Sequence, residues 1–313
     1  MFFLVFVLFS CTFSPQQNKD TNKPQPTIYT TPAGDKIIFL DDYYKSFLEA
    51  VRSSKNTDSL YRVIIQYPIL NQYFSTCEYS EYAKYNFYYP IEDTTGLENY
   101  ISGINRNRSK IERLIASALA MSNKYLKNDS INIYIIPSTN YLQKTIRRMG
   151  GIAGFTVGSK QILLTVDTEV NTWPEMLEDA VTHESNHAYW IKMNFKKMTS
   201  SYGRTLLDDI VFEGKADSYA HLFYPNIHCP WDSALSHEDE PTLWSKIKPE
   251  LDNSDMSLYR KVMFGSAGDY PVWGGYKLGY KIVQAALKNH PELTPEEWTN
   301  LDSKKILEMS GYQ

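Results

Sequence analysis

The chain has 313 residues, a formal net charge of −4 and 42% hydrophobic residues. A chain of this length and composition can bury a full hydrophobic core in one domain or in two closely packed lobes. Acidic and basic residues are interspersed without a basic stripe, so the sequence does not predict nucleic acid as a partner.

The N-terminus carries an apolar run, Phe2 to Phe9, which is too short to span a bilayer. We interpret residues 1–10 as a signal peptide, although no Lys or Arg precedes the run. Leu8 to Cys11 resembles the lipobox of bacterial lipoproteins, in which the cysteine becomes the lipidated first residue of the mature chain. Residues 11–34 are rich in Pro, Gln, Asn, Lys and Thr and are predicted to be a flexible tether. The sequence thus predicts a lipoprotein, anchored through Cys11 to the bacterial cell envelope on its periplasmic or surface face, with a soluble secreted protein as the alternative.

Residues 35–313 are predicted to form a single domain that begins with a mainly helical part at 41–127. The apolar residues of this part recur at helical spacing, for example in Tyr44-Phe47-Leu48-Val51. We expect it to form one wall of a cleft. Its tyrosine-rich middle, residues 79–89, either lines a binding surface or fills a core, and tyrosines at this density more often do the latter.

Besides Cys11, the chain contains Cys77 and Cys229. In an oxidising export compartment these two residues could pair, and the sequence leaves that question open. Neither cysteine has metal-ligand spacing to the other, so the sequence does not predict zinc binding by cysteine.

Two runs of β-branched and apolar residues, Ile131 to Pro137 and Gln161 to Val166, are predicted to be strands. Glycines punctuate the stretch between them. This stretch is typical of a hairpin, and its exposed edge either pairs with an extended peptide or serves only the fold.

The most informative motif is His183-Glu184-Ser185-Asn186-His187, within a helix predicted to begin after Asn171 or Thr172. Residues four apart lie on one face of a helix, so His183 and His187 can offer two imidazole nitrogens to one ion. Glu184 then lies beside that ion as the candidate general base. The alternative is a set of solvated or half-buried polar groups on an amphipathic helix.

A second helix is predicted from Thr205 to Leu222, where Glu213, Asp217 and His221 fall on one stripe. A catalytic zinc ion typically takes three protein ligands and keeps one position for water, and Glu213 is the candidate third ligand. Asp217 is the candidate acceptor for the free N–H of a ligand histidine, which would fix the tautomer of that ring. For both acids the alternative is an ordinary position on a helix surface.

When a metal-bound hydroxide attacks a carbonyl group, a tetrahedral oxyanion forms that needs a hydrogen-bond donor. The candidate donors are Tyr276, Tyr280 and His221. Tyr276 and Tyr280 are neighbours at i and i+4 in a segment whose glycines allow close approach to a ligand or to another helix. We assign the catalytic role to Tyr276. The alternative is that these tyrosines pack in the core and donate to backbone carbonyls.

The motifs HESNH (183–187) and EGKAD (213–217) together resemble the gluzincin signature. In that signature the glutamate of a downstream ExxxD motif is the third ligand, and its aspartate supports a ligand histidine. Two features depart from the pattern. Lys215 stands where relatives carry an apolar residue, and the interval from His187 to Glu213 is longer than in the best-known gluzincins.

A wider resemblance covers residues 130–313. The segments 206–214, 275–283 and 306–312 are similar to a family of predicted zinc-dependent proteases that has long been catalogued as a domain of unknown function. Gliding-motility lipoproteins look like relatives of this family. The resemblance implies a zinc peptidase, with the substrate left undefined.

We therefore predict an α+β, zincin-like fold, with a small mixed sheet, an active-site helix and a helical C-terminal part within a core at 131–313. The predicted function is hydrolysis of peptide or protein substrates with one Zn²⁺ ion, held by His183, His187 and Glu213, and Glu184 as base. One alternative is a non-catalytic envelope lipoprotein that uses a peptidase-like fold in gliding or surface machinery. A carbohydrate-binding surface lipoprotein would explain the tyrosines but not the HExxH motif.

Overall fold

The structure is a computed structural model that describes residues 24–54, 56–91, 93–197, 204–266 and 268–312. The predicted signal peptide, the lipobox with Cys11 and the first part of the predicted tether lie outside these residues. Within the described part of the chain, no helix is both long enough and apolar enough to cross a membrane.

A five-stranded mixed sheet with the order β1-β2-β3-β5-β4 forms the centre of the molecule. Strands β2, β3 and β5 run parallel, whereas β1 and β4 pair antiparallel at the two edges. The strands are β1 (Thr27–Thr30), β2 (Lys36–Phe39), β3 (Asn132–Pro137), β4 (Ile152–Gly158) and β5 (Gln161–Val166).

Helices cover both faces of the sheet and form a separate C-terminal layer. The N-terminal helices are α1 (Asp41–Val51), α2 (Thr57–Tyr61), α3 (Tyr67–Ile69), α4 (Ser80–Tyr85) and α5 (Leu97–Ser122), with π-helical turns at Arg62–Gln66 and Leu70–Phe74. The later helices are α6 (Asn140–Arg148), α7 (Trp173–Asn194), α8 (Leu206–Phe223), α9 (Asp239–Ile247), α10 (Met256–Phe264), α11 (Gly274–Asn289), α12 (Pro295–Asn300) and α13 (Ser303–Ser310).

The alternation of side chains along β3 explains how the sheet joins two cores. Ile133 and Ile135 pack with α5 and α7 on one face, whereas Tyr134 and Ile136 pack with the N-terminal helices on the other. Because both faces are covered at the centre of the sheet, β2, β3 and β5 are apolar at nearly every position. A third core joins α8 with the C-terminal helices. Helix α7 lies between these layers and contacts both β4 and α8.

The structure confirms the predicted α+β class and most of the predicted elements. Strands β3 and β5 match the two predicted strands, and α8 begins after Thr205, whose side chain forms a capping box with Asp208. The stretch between β3 and β5 is more than a hairpin, because it contains α6 as well as β4. The helical crossover is what allows β3 and β5 to run parallel.

The prediction of a flexible tether up to residue 34 is wrong for its last part. Thr27–Thr30 forms the edge strand β1, which pairs with β2 over its whole length. Strand β1 is largely exposed, and its sequence, Thr-Ile-Tyr-Thr, does not alternate between apolar and polar residues. The sequence therefore did not distinguish an edge strand from a tether. The domain boundaries stay a prediction.

Candidate metal centre

Helix α7 presents His183 and His187 one turn apart, as their spacing predicts. Both rings are buried, and their Nε2 atoms lie 3.0 Å from each other. The helix holds these polar groups inside the protein because apolar residues of the same helix, such as Leu177, Val181 and Ala188, pack in the core beneath the sheet.

Helix α8 packs against α7 and brings Glu213 to the two rings. Its Oε2 lies 3.2 Å from the Nε2 of His183 and 3.4 Å from the Nε2 of His187. Within the described residues, these three side chains are the one group of His, Cys, Asp and Glu whose ligand atoms converge closely enough to hold a metal ion.

The distances in this group fit a zinc ion. Tetrahedral zinc with ligand atoms at about 2.0–2.1 Å would place those atoms about 3.3 Å from each other. The three observed separations, from 3.0 to 3.4 Å, lie around that value. Two imidazoles with one carboxylate also form a common ligand set for catalytic zinc.

The electrostatics of the group favour a positive charge at the same place. Burial alone would lower the pKa of His183, but hydrogen bonds to Asp217 and Glu213 outweigh it and hold that pKa well above its usual value. Burial alone would raise the pKa of Glu213, but the His187 and His183 rings hold it well below its usual range. A buried group of side chains that favours positive charge in this way is suited to a divalent metal ion.

Asp217 occupies the place that the sequence assigned to it. Its Oδ1 lies 2.9 Å from the Nδ1 of His183, the nitrogen that points away from the convergence of ligands. This contact fixes the orientation of the ring and leaves Nε2 directed at the candidate metal position. The other histidine, His187, has no equivalent acid, and its Nδ1 is buried without a hydrogen-bond partner among the described residues.

Glu184 is held by the edge strand β4, which sequence reasoning did not connect with it. Its Oε2 accepts a hydrogen bond from the Oγ1 of Thr156 at 2.6 Å. On the same face of the strand, a Cβ at Gly154 would lie only 2.5 Å from the Oε1 of Glu184. The strand therefore orients the candidate base with a hydroxyl and makes room for it with a glycine. The isolated glycine in a strand pattern was the available sequence signal.

Helix α11, which contains Tyr276, packs unusually closely against α8, the helix of Glu213. A Cβ at Gly214 would collide with the backbone of Gly279, and a Cβ at Gly279 would collide with the carbonyl of Ile210. The glycines thus serve the close helix approach that the sequence suggested. Burial and then the negative charge of Glu213 raise the pKa of Tyr276 well above its usual value, so its phenol stays protonated and can donate.

The other two candidate donors lie next to each other. His221 is exposed, and its ring lies 5.6 Å from that of Tyr280. The charge of Glu213 also acts on a tyrosine that the sequence did not indicate. Burial and then this charge raise the pKa of Tyr259, on α10, and a coulombic effect also links Tyr259 with Tyr276. No local spacing connects Tyr259 with the motifs, so no sequence signal identified it.

Lys215 is accommodated in an unexpected way. The side chain is buried, and its Nζ donates to the backbone carbonyls of Thr299 and Leu301 at the end of α12. Burial lowers the pKa of this lysine to about 7. On α7, Asn186 donates to the hydroxyl of the same Thr299. Lys215 therefore ties the C-terminal segment to α8, and Asn186 ties the same segment to α7.

Both described cysteines are free in the structure. Cys77 is buried in the core of the N-terminal helices, whereas Cys229 lies beside α7 with its Sγ 3.3 Å from the carboxylate of Asp179. Burial, followed by repulsion from Asp217, raises the pKa of Asp179 to about 6. This acid lies one turn before His183 on α7.

Residues 111–308 match the sequence model of a family described as "Predicted Zn-dependent protease (DUF2268)". The match covers both histidines, Glu184, Glu213, Asp217 and Tyr276. No curated protein and no solved structure matches the chain significantly.

Proposed function

Because the chain belongs to the family of predicted Zn-dependent proteases, we propose that it is a zinc-dependent peptidase with His183, His187 and Glu213 as metal ligands. The observation that carries this proposal is the convergence of three ligand atoms beside Glu184, whose carboxylate is oriented by Thr156. A structural metal site would need the three ligands, but it would have no use for an oriented carboxylate next to them.

In the proposed reaction, each residue of the site has a separate role. A zinc ion in this site would lower the pKa of a bound water towards neutrality and polarise a substrate carbonyl. Glu184 accepts the proton of the attacking water and later gives it to the leaving amine. Asp217 keeps His183 in the tautomer that binds the metal through Nε2. Tyr276 donates to the developing oxyanion, a contribution typically worth about 3 kcal/mol of the barrier.

Strand β4 is the proposed docking edge for an extended peptide. It pairs with β5 on one side, and no other described strand pairs with its second edge. Its Gly158 end is partly covered, because Tyr79 donates its backbone N–H to the carbonyl of Val157. Thr156 and Gly154 place the rest of the strand directly beside Glu184. A peptide added along this edge would pass the general base.

We further propose that the protein is located at the bacterial cell envelope. The apolar run and the lipobox-like sequence at Leu8 to Cys11 support export and lipidation at Cys11, which would hold the peptidase at the bacterial cell envelope. Mass spectrometry of the protein from its native membrane should find Cys11 as the diacylglycerol-modified N-terminus. An unmodified Cys11 would remove this part and leave the peptidase proposal unchanged.

The direct test of hydrolysis is the variant Glu184→Gln in a peptide-library cleavage assay. The variant should bind zinc as the wild type does and lose cleavage by a factor of about 100 to 10,000, because it lacks the base and keeps every ligand. Glu175→Gln, at an exposed position in the first turn of the same helix, is the matched control and should cleave normally. Equal cleavage by the wild type and Glu184→Gln would refute the proposal.

A further inference from the structure

The two candidate ligand histidines are held by different kinds of contact. His183 is oriented by a hydrogen bond from its Nδ1 to Asp217. The Nδ1 of His187 is buried and has no partner among the described residues. A ring that binds a metal through one nitrogen needs some other constraint on its rotation when the second nitrogen is not held.

For His187 that constraint is a stacked aromatic ring. Phe212, on α8, lies parallel to the imidazole, with 3.9 Å between ring centroids and 16° between ring planes. It is the residue directly before Glu213, so the same turn of α8 supplies one ligand and packs on another. The edge of Phe212 also meets the indole of Trp190 on α7.

A cation covers Phe212. The guanidinium carbon of Arg204 lies 4.0 Å from the centroid of the Phe212 ring. Arg204 is itself fixed by Asp209, whose carboxylate accepts from its Nε at 2.7 Å and also from its Nη2. The order of the stack is therefore His187, Phe212, Arg204, with the last member held by an ion pair. Arginine over an aromatic face is a favourable arrangement that also restricts the ring.

We propose that Phe212, backed by Arg204, is a positioning residue that orients His187 for metal binding in place of a hydrogen bond to its Nδ1. This inference rests on the proposed zinc site. Rotation of the imidazole about its Cβ–Cγ bond would swing Nε2 away from His183 and Glu213, and the parallel phenyl ring blocks that rotation. The two ligand histidines of one helix thus depend on α8 in two ways, through a carboxylate and through an aromatic face.

The test is the zinc affinity of full-length protein, measured by competition with a chromophoric chelator. Phe212→Leu should weaken zinc binding by at least about tenfold, the lower end of the loss typical for removal of a group that orients a ligand. Phe212→Tyr, which restores the aromatic face, should bind within about threefold of the wild type. Arg204→Met should fall between these variants, because the stack loses its cation and keeps its ring.

The matched control is Phe223→Leu, the same change at a half-buried position on the same helix. Phe223 packs against Tyr219 and Tyr125, away from the candidate ligands. This variant should lose stability without losing zinc affinity. The absorption bands of cobalt-substituted protein give a second measure, which should change in Phe212→Leu and not in Phe223→Leu.

Equal zinc affinity in Phe212→Leu and Phe223→Leu would overturn the inference and leave the peptidase proposal intact. If Phe212→Leu does not fold, Arg204→Met decides, and unchanged affinity in that variant would overturn the inference. Failure of the wild type to bind zinc would overturn the proposed function and this inference with it.

Discussion

The metal centre and the N-terminal region at residues 41–91 bury their side chains in opposite ways. This region contains ten of the 24 tyrosines of the chain and is called the tyrosine-rich region below. At the centre the buried groups are polar: His183, His187, Glu184 and Asp217 are each less than 9% exposed. In the tyrosine-rich region most buried groups are apolar or aromatic, such as Phe47, Ile65 and Phe74, and they belong to the core on one face of the sheet.

The polar groups of the two regions also differ in their partners. The buried phenol of Tyr61 and the amide of Gln66 both donate to the backbone carbonyl of Phe87, which is ordinary satisfaction of buried polar groups. At the centre, ionisable side chains face one another. Burial of charge costs free energy, so such groups indicate function, whereas apolar burial supplies stability. Substitutions in the centre should change metal binding and turnover, and substitutions in the tyrosine-rich region should change stability.

The largest expected effect is the loss of a ligand. Glu213→Ala should weaken zinc binding by more than about 100-fold, beyond the effect of removing a group that only orients a ligand. Glu178→Ala, at a half-buried acid of α7, is the control and should bind zinc normally. Calorimetric titration measures both, and an unchanged affinity in Glu213→Ala would place the metal elsewhere.

The next effect concerns the hydroxyl that holds the base. Thr156→Val keeps the shape of the side chain and removes the hydrogen bond to Glu184. A hydrogen bond to a charged group is worth about 1.5–3 kcal/mol, so kcat should fall by about 10- to 100-fold. KM and zinc content should stay the same, and Thr156→Ser should recover most of the rate. A Thr156→Val enzyme with normal kcat would contradict the role of β4 in orienting the base.

The buried carboxyl group of Asp179, one turn before His183 on α7, makes the stability of the protein depend on pH. Burial raises the pKa of Asp179 from 3.8 to about 6. At pH values between these two, the folded protein keeps a proton on Asp179 that the unfolded chain has released. Stability from this residue is therefore present below about pH 4 and declines as pH rises to about 6.

Asp179→Asn should remove that decline. In chelator-treated protein, the variant should be more stable than the wild type at pH 7 by up to about 3 kcal/mol, and the gain should vanish near pH 4. Asp252→Asn, at an exposed acid, is the control and should change stability by less than about 0.5 kcal/mol. Urea unfolding at both pH values measures the difference, and a destabilised Asp179→Asn at pH 7 would contradict the sign.

The smallest expected effect on function comes from the tyrosine-rich region. Phe74 is fully buried, with its ring 4.8 Å from that of Tyr134 on β3. Phe74→Leu should cost about 1–2 kcal/mol of unfolding free energy through lost contacts. Zinc affinity and kcat should remain those of the wild type. A large loss of zinc affinity in this folded variant would break the distinction between the two regions.

The sequence predicted the parts of the centre that depend on local spacing. The positions of His183, Glu184 and His187 follow from one helical turn, and the place of Asp217 relative to Glu213 follows from another. The start of α8 could be read from the capping pattern at Thr205. These features need only a few consecutive residues, so no knowledge of the tertiary fold was required.

The remaining features depend on contacts between distant segments. Thr156 meets Glu184 across 28 positions, and Asn186 meets Thr299 across 113. Strand β2 pairs in parallel with β3 almost a hundred residues later, which is why the end of the predicted tether could not be recognised as the partner of a buried strand. The aromatic neighbour of His187 was likewise hidden, because Phe212 fits the apolar pattern of α8 equally well.

The central claim is that His183, His187 and Glu213 hold one zinc ion that Glu184 uses for peptide hydrolysis. Stepwise addition of zinc to metal-free protein, with peptide cleavage followed at each step, tests it most directly. Cleavage should rise in proportion to bound zinc and reach its plateau at one ion per chain, and Glu184→Gln should bind the same ion without cleavage. Absence of bound zinc, or cleavage that does not depend on it, would contradict the claim.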